Sequence, residues 1–106
     1  MIIRSAYLEG DVAPGDQETF DRLMRTTVVE AISTYPGIRQ VKLRKIARGE
    51  EGAPPVYMIF DLYFDSLEAM DAALASETRQ TVRAKILEAM PLFKGRVYHL
   101  CFAQDA

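Results

Sequence analysis

The spacing of apolar positions changes along the chain, and each change marks an element. Ile2 to Leu8 is a short apolar-rich run closed by Glu9-Gly10-Asp11, which predicts a first strand. Pro14-Gly15-Asp16 offers a turn and an N-cap. Phe20, Leu23, Met24, Val28, Ala31, Ile32 and Tyr35 then recur at helical spacing, giving one apolar stripe. Pro36-Gly37 stops that helix, because proline cannot continue it and glycine tolerates a left-handed exit. Ile38 to Arg48 alternates loosely, with Val41 and Leu43 among Arg39, Lys42, Arg44 and Lys45, and predicts a second strand. Gly49 to Pro55 reads as a loop, and Val56 to Phe64 as a third strand.

Asp65-Ser66-Leu67-Glu68 has the form of a capping box, with Asp65 as the cap. It predicts a helix whose inner stripe is Leu67, Met70 and Leu74. Polar residues interrupt the pattern at Ser76 to Gln80, and it resumes with Val82, Ile86, Leu87 and Met90, so two helical segments or one bent helix follow. Gly95 closes that region, and Arg96 to Ala103 alternates as a fourth strand. The order βαββαβ predicts an α+β ferredoxin-like sandwich over residues 1–106: a four-stranded antiparallel sheet with its helices on one face, in a single domain.

The other face of such a sheet has no cover. The third strand sorts into Val56, Met58, Phe60, Leu62 and Phe64 against Tyr57, Ile59, Asp61 and Tyr63. The fourth sorts into Tyr98, Leu100 and Phe102 against Val97, His99 and Cys101. Assigning the larger apolar sets to the helices leaves Tyr57, Ile59, Tyr63, Val97 and Cys101 on the open face. That set is too apolar for water and predicts a homodimer that pairs sheet to sheet. Asp61 then lies in a mostly apolar, partly enclosed place.

Composition narrows the partners. Of 106 residues, 49 % are hydrophobic, enough for one core. Thirteen basic against 15 acidic residues give a net charge of −2, with no electrostatic drive toward nucleic acid or an anionic membrane. MIIRSAYLEGD lacks the apolar core of a signal peptide, and no run reaches the length of a membrane helix. A single cysteine, Cys101, fits a reducing cytoplasm and a buried, inert thiol. One histidine and one cysteine make no metal cluster, and haem would have only His99 as an axial ligand.

The stretch APPVYMIFDLYFDSLEAMDAALAS, followed by TVRAKI, resembles the second half of EthD-like proteins, and FDRLMRTTVVEAISTYPGIRQV resembles their first helix and its exit turn. The resemblance covers nearly the whole chain. It implies a dimeric α+β barrel, in which two ferredoxin-like chains join their sheets. It also implies a small cofactor-independent isomerase, lyase or oxygenase of catabolic or secondary metabolism. The family often carries a histidine in the first helix where this sequence has Val28. A non-catalytic accessory or small-molecule-binding homodimer suits that departure.

Asp61 and His99 are the candidate catalytic pair. If they share a face they stand two strands apart, roughly 10 Å, with Ser5 or Tyr7 between them. A carboxylate orienting a histidine is a workable general base for moving a proton on a carbonyl compound. Alternatively Asp61 accepts a bond from Arg4, Tyr7 or a partner-chain tyrosine, and His99 is an interface residue. Tyr7, Tyr57 and Tyr63 are candidate substrate-binding groups, and Tyr35, Tyr98 and the phenylalanines could line a pocket or simply pack. The basic second strand suits either an anionic substrate or a charged sheet edge that resists aggregation.

Overall fold

The computed structural model describes residues 1–104. Strands β1 (Ile2–Val12), β2 (Gln40–Lys45), β3 (Val56–Phe64) and β4 (Phe93–Ala103) form one antiparallel sheet in the order β2-β3-β1-β4. The first helical region runs unbroken through α1 (Gln17–Leu23), a π-helical stretch (Met24–Val28) and α2 (Val29–Ile32). After β3 come α3 (Leu67–Leu74) and α4 (Thr78–Ala89), the two segments that the interrupted pattern predicts. The result is the expected ferredoxin-like α+β architecture.

The core lies between the helices and one face of the sheet. Phe20, Met24, Val28, Ala31 and Ile32 pack from the first helical region, and Met58, Phe60, Leu62 and Phe64 from β3. The stripe along the first helix is therefore as the spacing requires, with Tyr35 buried just beyond it. Two members of the later stripes are not inside: Leu67 and Leu87 are exposed, at 53 % and 66 %. Both lie on the outer surface of short helices, where a three- or four-residue spacing alone does not fix the buried face.

Two strands run further than their turn residues suggest. β1 continues through Gly10 to Val12, and β4 begins at Phe93, ahead of Gly95. Gly10 pairs with Gly95, both at positive φ (152° and 154°). A Cβ on either would come within 2.1 Å of a facing carbonyl oxygen. These glycines let two backbones cross closely inside the sheet and do not terminate it.

Helix α3 is capped by Ser66, whose hydroxyl accepts the Ala69 backbone N–H at 3.1 Å. Asp65, the expected cap, is instead held by the Arg39 guanidinium, with Nη2 to Oδ2 at 2.7 Å. The cap thus falls one residue later than expected and is a simple serine cap, since the residue three beyond Ser66 is Ala69 and completes no box, while Arg39 from the chain entering β2 holds the aspartate.

Candidate functional site

β1 is an inner strand between β3 and β4, and its alternation assigns the chemistry to two faces. Ser5 pairs with Asp61 and with Leu100, whereas Ala6 pairs with His99. Successive side chains leave a strand on opposite faces, so Asp61 and His99 point away from each other across the sheet. The expected Asp61–His99 pair does not form.

On the open face, Asp61 is 4 % exposed and Ser5 1 %. The Ser5 hydroxyl donates to Asp61 Oδ1 at 2.6 Å, and Arg44 donates from Nε to Oδ2 at 2.8 Å and from Nη2 to Oδ1 at 3.2 Å. The acid in the middle of an apolar strand thus has donors from both neighbouring strands. These are Ser5 and Arg44, not Arg4 or Tyr7. The bond to Asp61 raises the Arg44 guanidinium pKa. Strand β2 is a sheet edge, and most of its charges are used locally. Arg44 holds Asp61, Lys45 pairs with Asp21 and donates to the Tyr57 hydroxyl at 3.0 Å, and Lys42 lies 5.4 Å from the centre of the Tyr63 ring.

The sorting of faces needs two corrections. In β4, Tyr98, Leu100 and Phe102 lie on the open face with Tyr7, Ser5 and Ile3, while Val97, His99 and Cys101 lie on the helix side. β4 is the far edge strand and is only partly covered by the helices, with Phe93 buried at its start. Val97 and Cys101 are exposed on that side, so size did not reveal the buried face, and Cys101 is not the buried thiol expected. In β3, Tyr57 leaves the open face. The register slips between Leu8 and Glu9, so Tyr57 is an extra residue in a β-bulge. Its ring packs edge-on to Phe20 at 5.7 Å, and its hydroxyl donates to Asp21 at 2.7 Å. The open face therefore carries Ile3, Tyr7, Ile59, Tyr63, Tyr98, Leu100 and Phe102 around the Asp61 cluster, with Tyr7 and Tyr98 stacked at 5.0 Å. A shallow depression of about 340 Å³ lies over this cluster.

On the helix side is a different kind of space. A cavity of about 310 Å³ lies between the helices and the sheet. Met24, Val28, Ile32 and Tyr35 form one wall, and Val82, Ile86 and Met90 another. The floor comes from Arg4, Ala6 and Leu8 of β1, Phe60 and Leu62 of β3, and Val97 and His99 of β4. Its lining is almost wholly apolar, with three polar side chains. The π-helical turn contributes Met24 and Val28, and such turns recur at functional sites because they shift side chains out of helical register. Val28, where the family resemblance expects a histidine, is part of this wall.

The polar groups are electrostatically unusual. His99 has its pKa lowered to about 4, first by desolvation and then by the charges of Arg4 and Arg79. Its imidazole is therefore neutral at pH 7 with one unprotonated ring nitrogen, and the same desolvation and positive charges make it a weaker base than a free histidine. Burial raises the Tyr35 phenol above its ordinary value, against the opposing pull of Arg79, Arg4 and Arg83, so it stays an O–H donor. Burial also lowers the Arg4 guanidinium, with Arg79 and Arg83 adding to the effect. Of the predicted site residues, His99 alone reaches this cavity. Asp61, Tyr7 and Tyr63 are on the opposite face, and Tyr57 is at the other end of the core. The sequence reading missed Arg4 as a cavity residue; its place in the alternation of β1, in phase with Ala6 and Leu8, was the available signal.

No protein-family model and no curated protein matches this sequence. Solved structures do match its fold. An EthD-family protein from Bacillus halodurans superposes with a TM-score of 0.75 at 19 % identity, covering 99 % of this chain and 100 % of that one. A monooxygenase of Streptomyces coelicolor, solved with nanaomycin D, gives 0.66 at 14 % identity, covering 99 % and 88 %. A protein of Nitrosomonas europaea described as an antibiotic biosynthesis monooxygenase gives 0.62 at 13 % identity, covering 98 % of each chain. The chain thus has the α+β fold shared by EthD-family and antibiotic biosynthesis monooxygenase proteins. None of its described helices is long and apolar enough to cross a membrane.

Proposed function

We propose that this chain works as a single small-molecule domain of catabolic or secondary metabolism, and that the helix–sheet cavity is its binding site for a small apolar or aromatic metabolite. The observation that carries this reading is an apolar cavity of about 310 Å³ with polar groups only at Arg4, Tyr35 and His99. Apolar walls with a few convergent polar groups are the usual form of a small-molecule site. That a protein of the same fold was solved with the ligand nanaomycin D supports it.

The chemistry these groups support is cofactor-independent proton transfer. A neutral His99 takes a proton from an acidified C–H or O–H of the ligand, and the electron pair left behind settles on a carbonyl or phenolic oxygen. Tyr35 and Arg4 supply the hydrogen bond and the positive charge that hold that oxyanion. Such a step serves an isomerase, a lyase or an oxygenase that uses the substrate's own carbanion. Val28 in the family's histidine position favours a second reading, in which the cavity binds without turnover. His99→Gln separates the two: an enzyme loses turnover while retaining ligand, and a binding protein is indifferent.

The protein is also proposed to act as a cytoplasmic homodimer through its open sheet face, without nucleic-acid or membrane partners. Ile3, Ile59, Leu100 and Phe102 on that face support this, since an apolar patch of this kind calls for a partner. The test of the binding site is a thermal-shift screen of aromatic and lactone metabolites. A ligand at ~100 times its Kd adds about 2.7 kcal/mol of stability. Absence of any stabilising compound, with Val28→Phe leaving the melting temperature unchanged or higher, would make the cavity a mere packing gap.

A further inference from the structure

Arg4 is placed on the central strand with its side chain toward the helices. Its neighbours across the sheet are Leu62 and Cys101, neither of which balances a cation. Arg79 and Arg83 stand one turn apart on α4, the helix that brings Val82 and Ile86 to the cavity. All three guanidinium groups share one electrostatic field: Arg79 and Arg83 both act on Arg4 and on Tyr35, and Arg4 and Arg79 on His99. Elsewhere the arginines of strands and loops have carboxylates: Arg39 has Asp65, Arg44 has Asp61, Arg48 has Glu50 and Arg96 has Glu9. Among the described residues, no salt bridge includes Arg4, Arg79 or Arg83, nor the helical Arg22 and Arg25, and of these five only Arg4 lines the cavity. Arg79 donates only to the Leu74 carbonyl, at 3.3 Å. A part-buried cation facing two others costs free energy unless an anion meets it. The planar guanidinium fork matches a carboxylate better than any neutral acceptor.

Resting on the reading of the cavity as a ligand site, we infer that its ligand is an apolar acid. The hydrocarbon or aromatic body lies among Val28, Ile32, Phe60 and Ile86, and a carboxylate meets Arg4, with Arg79 and Arg83 adding positive potential. Neutral relatives of the same shape gain the apolar burial but leave the arginines unpaired. Specificity for the acid over its amide is then the signature of the site.

Isothermal titration of the full chain with 2-naphthoate and with 2-naphthamide tests this. The carboxylate is expected to bind at least tenfold more tightly, and high salt to narrow the gap. Arg4→Gln should bring the ratio toward one, because the carboxylate loses much more affinity than the amide. Arg79→Gln, on helix α4 and outside the cavity lining, should reduce the ratio several-fold and serves if Arg4→Gln folds poorly. Equal binding of both probes by the wild type, or an unchanged ratio in both variants, overturns the inference and leaves the cavity as a neutral-ligand site. Failure of both probes to bind counts against the cavity reading itself, and the acid specificity falls with it.

Discussion

Asp61 and His99 illustrate how one strand position decides a side chain's role. Asp61 is enclosed yet satisfied by Ser5 and Arg44, so its place is explained by hydrogen bonding alone. Ser5→Ala removes one donor from a buried carboxylate and should cost ~1–3 kcal/mol; denaturant unfolding showing a loss below ~0.5 kcal/mol would mean that water replaces the hydroxyl. His99 behaves differently. Its ordinary pKa is 6.5 and its folded value about 4, held down by desolvation, Arg4 and Arg79. Between those values the unfolded chain binds more protons than the folded one, so stability rises with pH across that window and falls on acidification. Below about 4 both states are protonated and this contribution is fully lost. Urea midpoints measured from pH 7 to 4 should therefore fall less steeply for His99→Gln than for wild type. Parallel slopes would contradict the neutral, desolvated imidazole.

At the scale of elements, most of the architecture was legible. The first helix, β3 and the break between α3 and α4 follow from periodicity, because each has one well-covered face. What escaped was set by contacts that no local pattern contains. The faces of β4 were inverted because an edge strand only partly covered by the helices carries apolar residues on both sides. Tyr57 changed faces through a bulge that only the pairing of β1 with β3 reveals. The cap of α3 moved to Ser66 because Arg39, distant in sequence, takes Asp65. Ser66→Ala should accordingly cost ~1 kcal/mol of stability. Asp65→Ala removes only an exposed ion pair and should change it by less, ~0–1 kcal/mol. An Asp65→Ala loss exceeding that of Ser66→Ala would return the cap to Asp65.

For the whole molecule, the corrected faces strengthen the case for self-association and weaken the case for a shared Asp61–His99 site. Tyr98, Leu100 and Phe102 join Ile3, Tyr7, Ile59 and Tyr63 on one uncovered surface. Light scattering over micromolar dilutions should give twice the chain mass, and Ile59→Lys should shift the protein toward monomer by placing a charge in that surface. A wild-type monomer at all concentrations would remove the dimer. The sequence indicated the fold and the open face but not the cavity, because the cavity is bounded by residues from three strands and both helical regions. Its polar groups are Arg4 and His99, on the two adjacent strands β1 and β4, and Tyr35 beyond α2.

The central claim is that ligand enters between helices and sheet, not onto the open face. Chemical-shift mapping by NMR with an aromatic probe distinguishes these two surfaces directly. The account predicts that perturbations concentrate on Val28, Ile32, Ile86, Val97 and His99, the lining of the apolar cavity. Perturbations confined to Tyr7, Asp61, Tyr63 and Phe102 would place the site on the opposite face and contradict it.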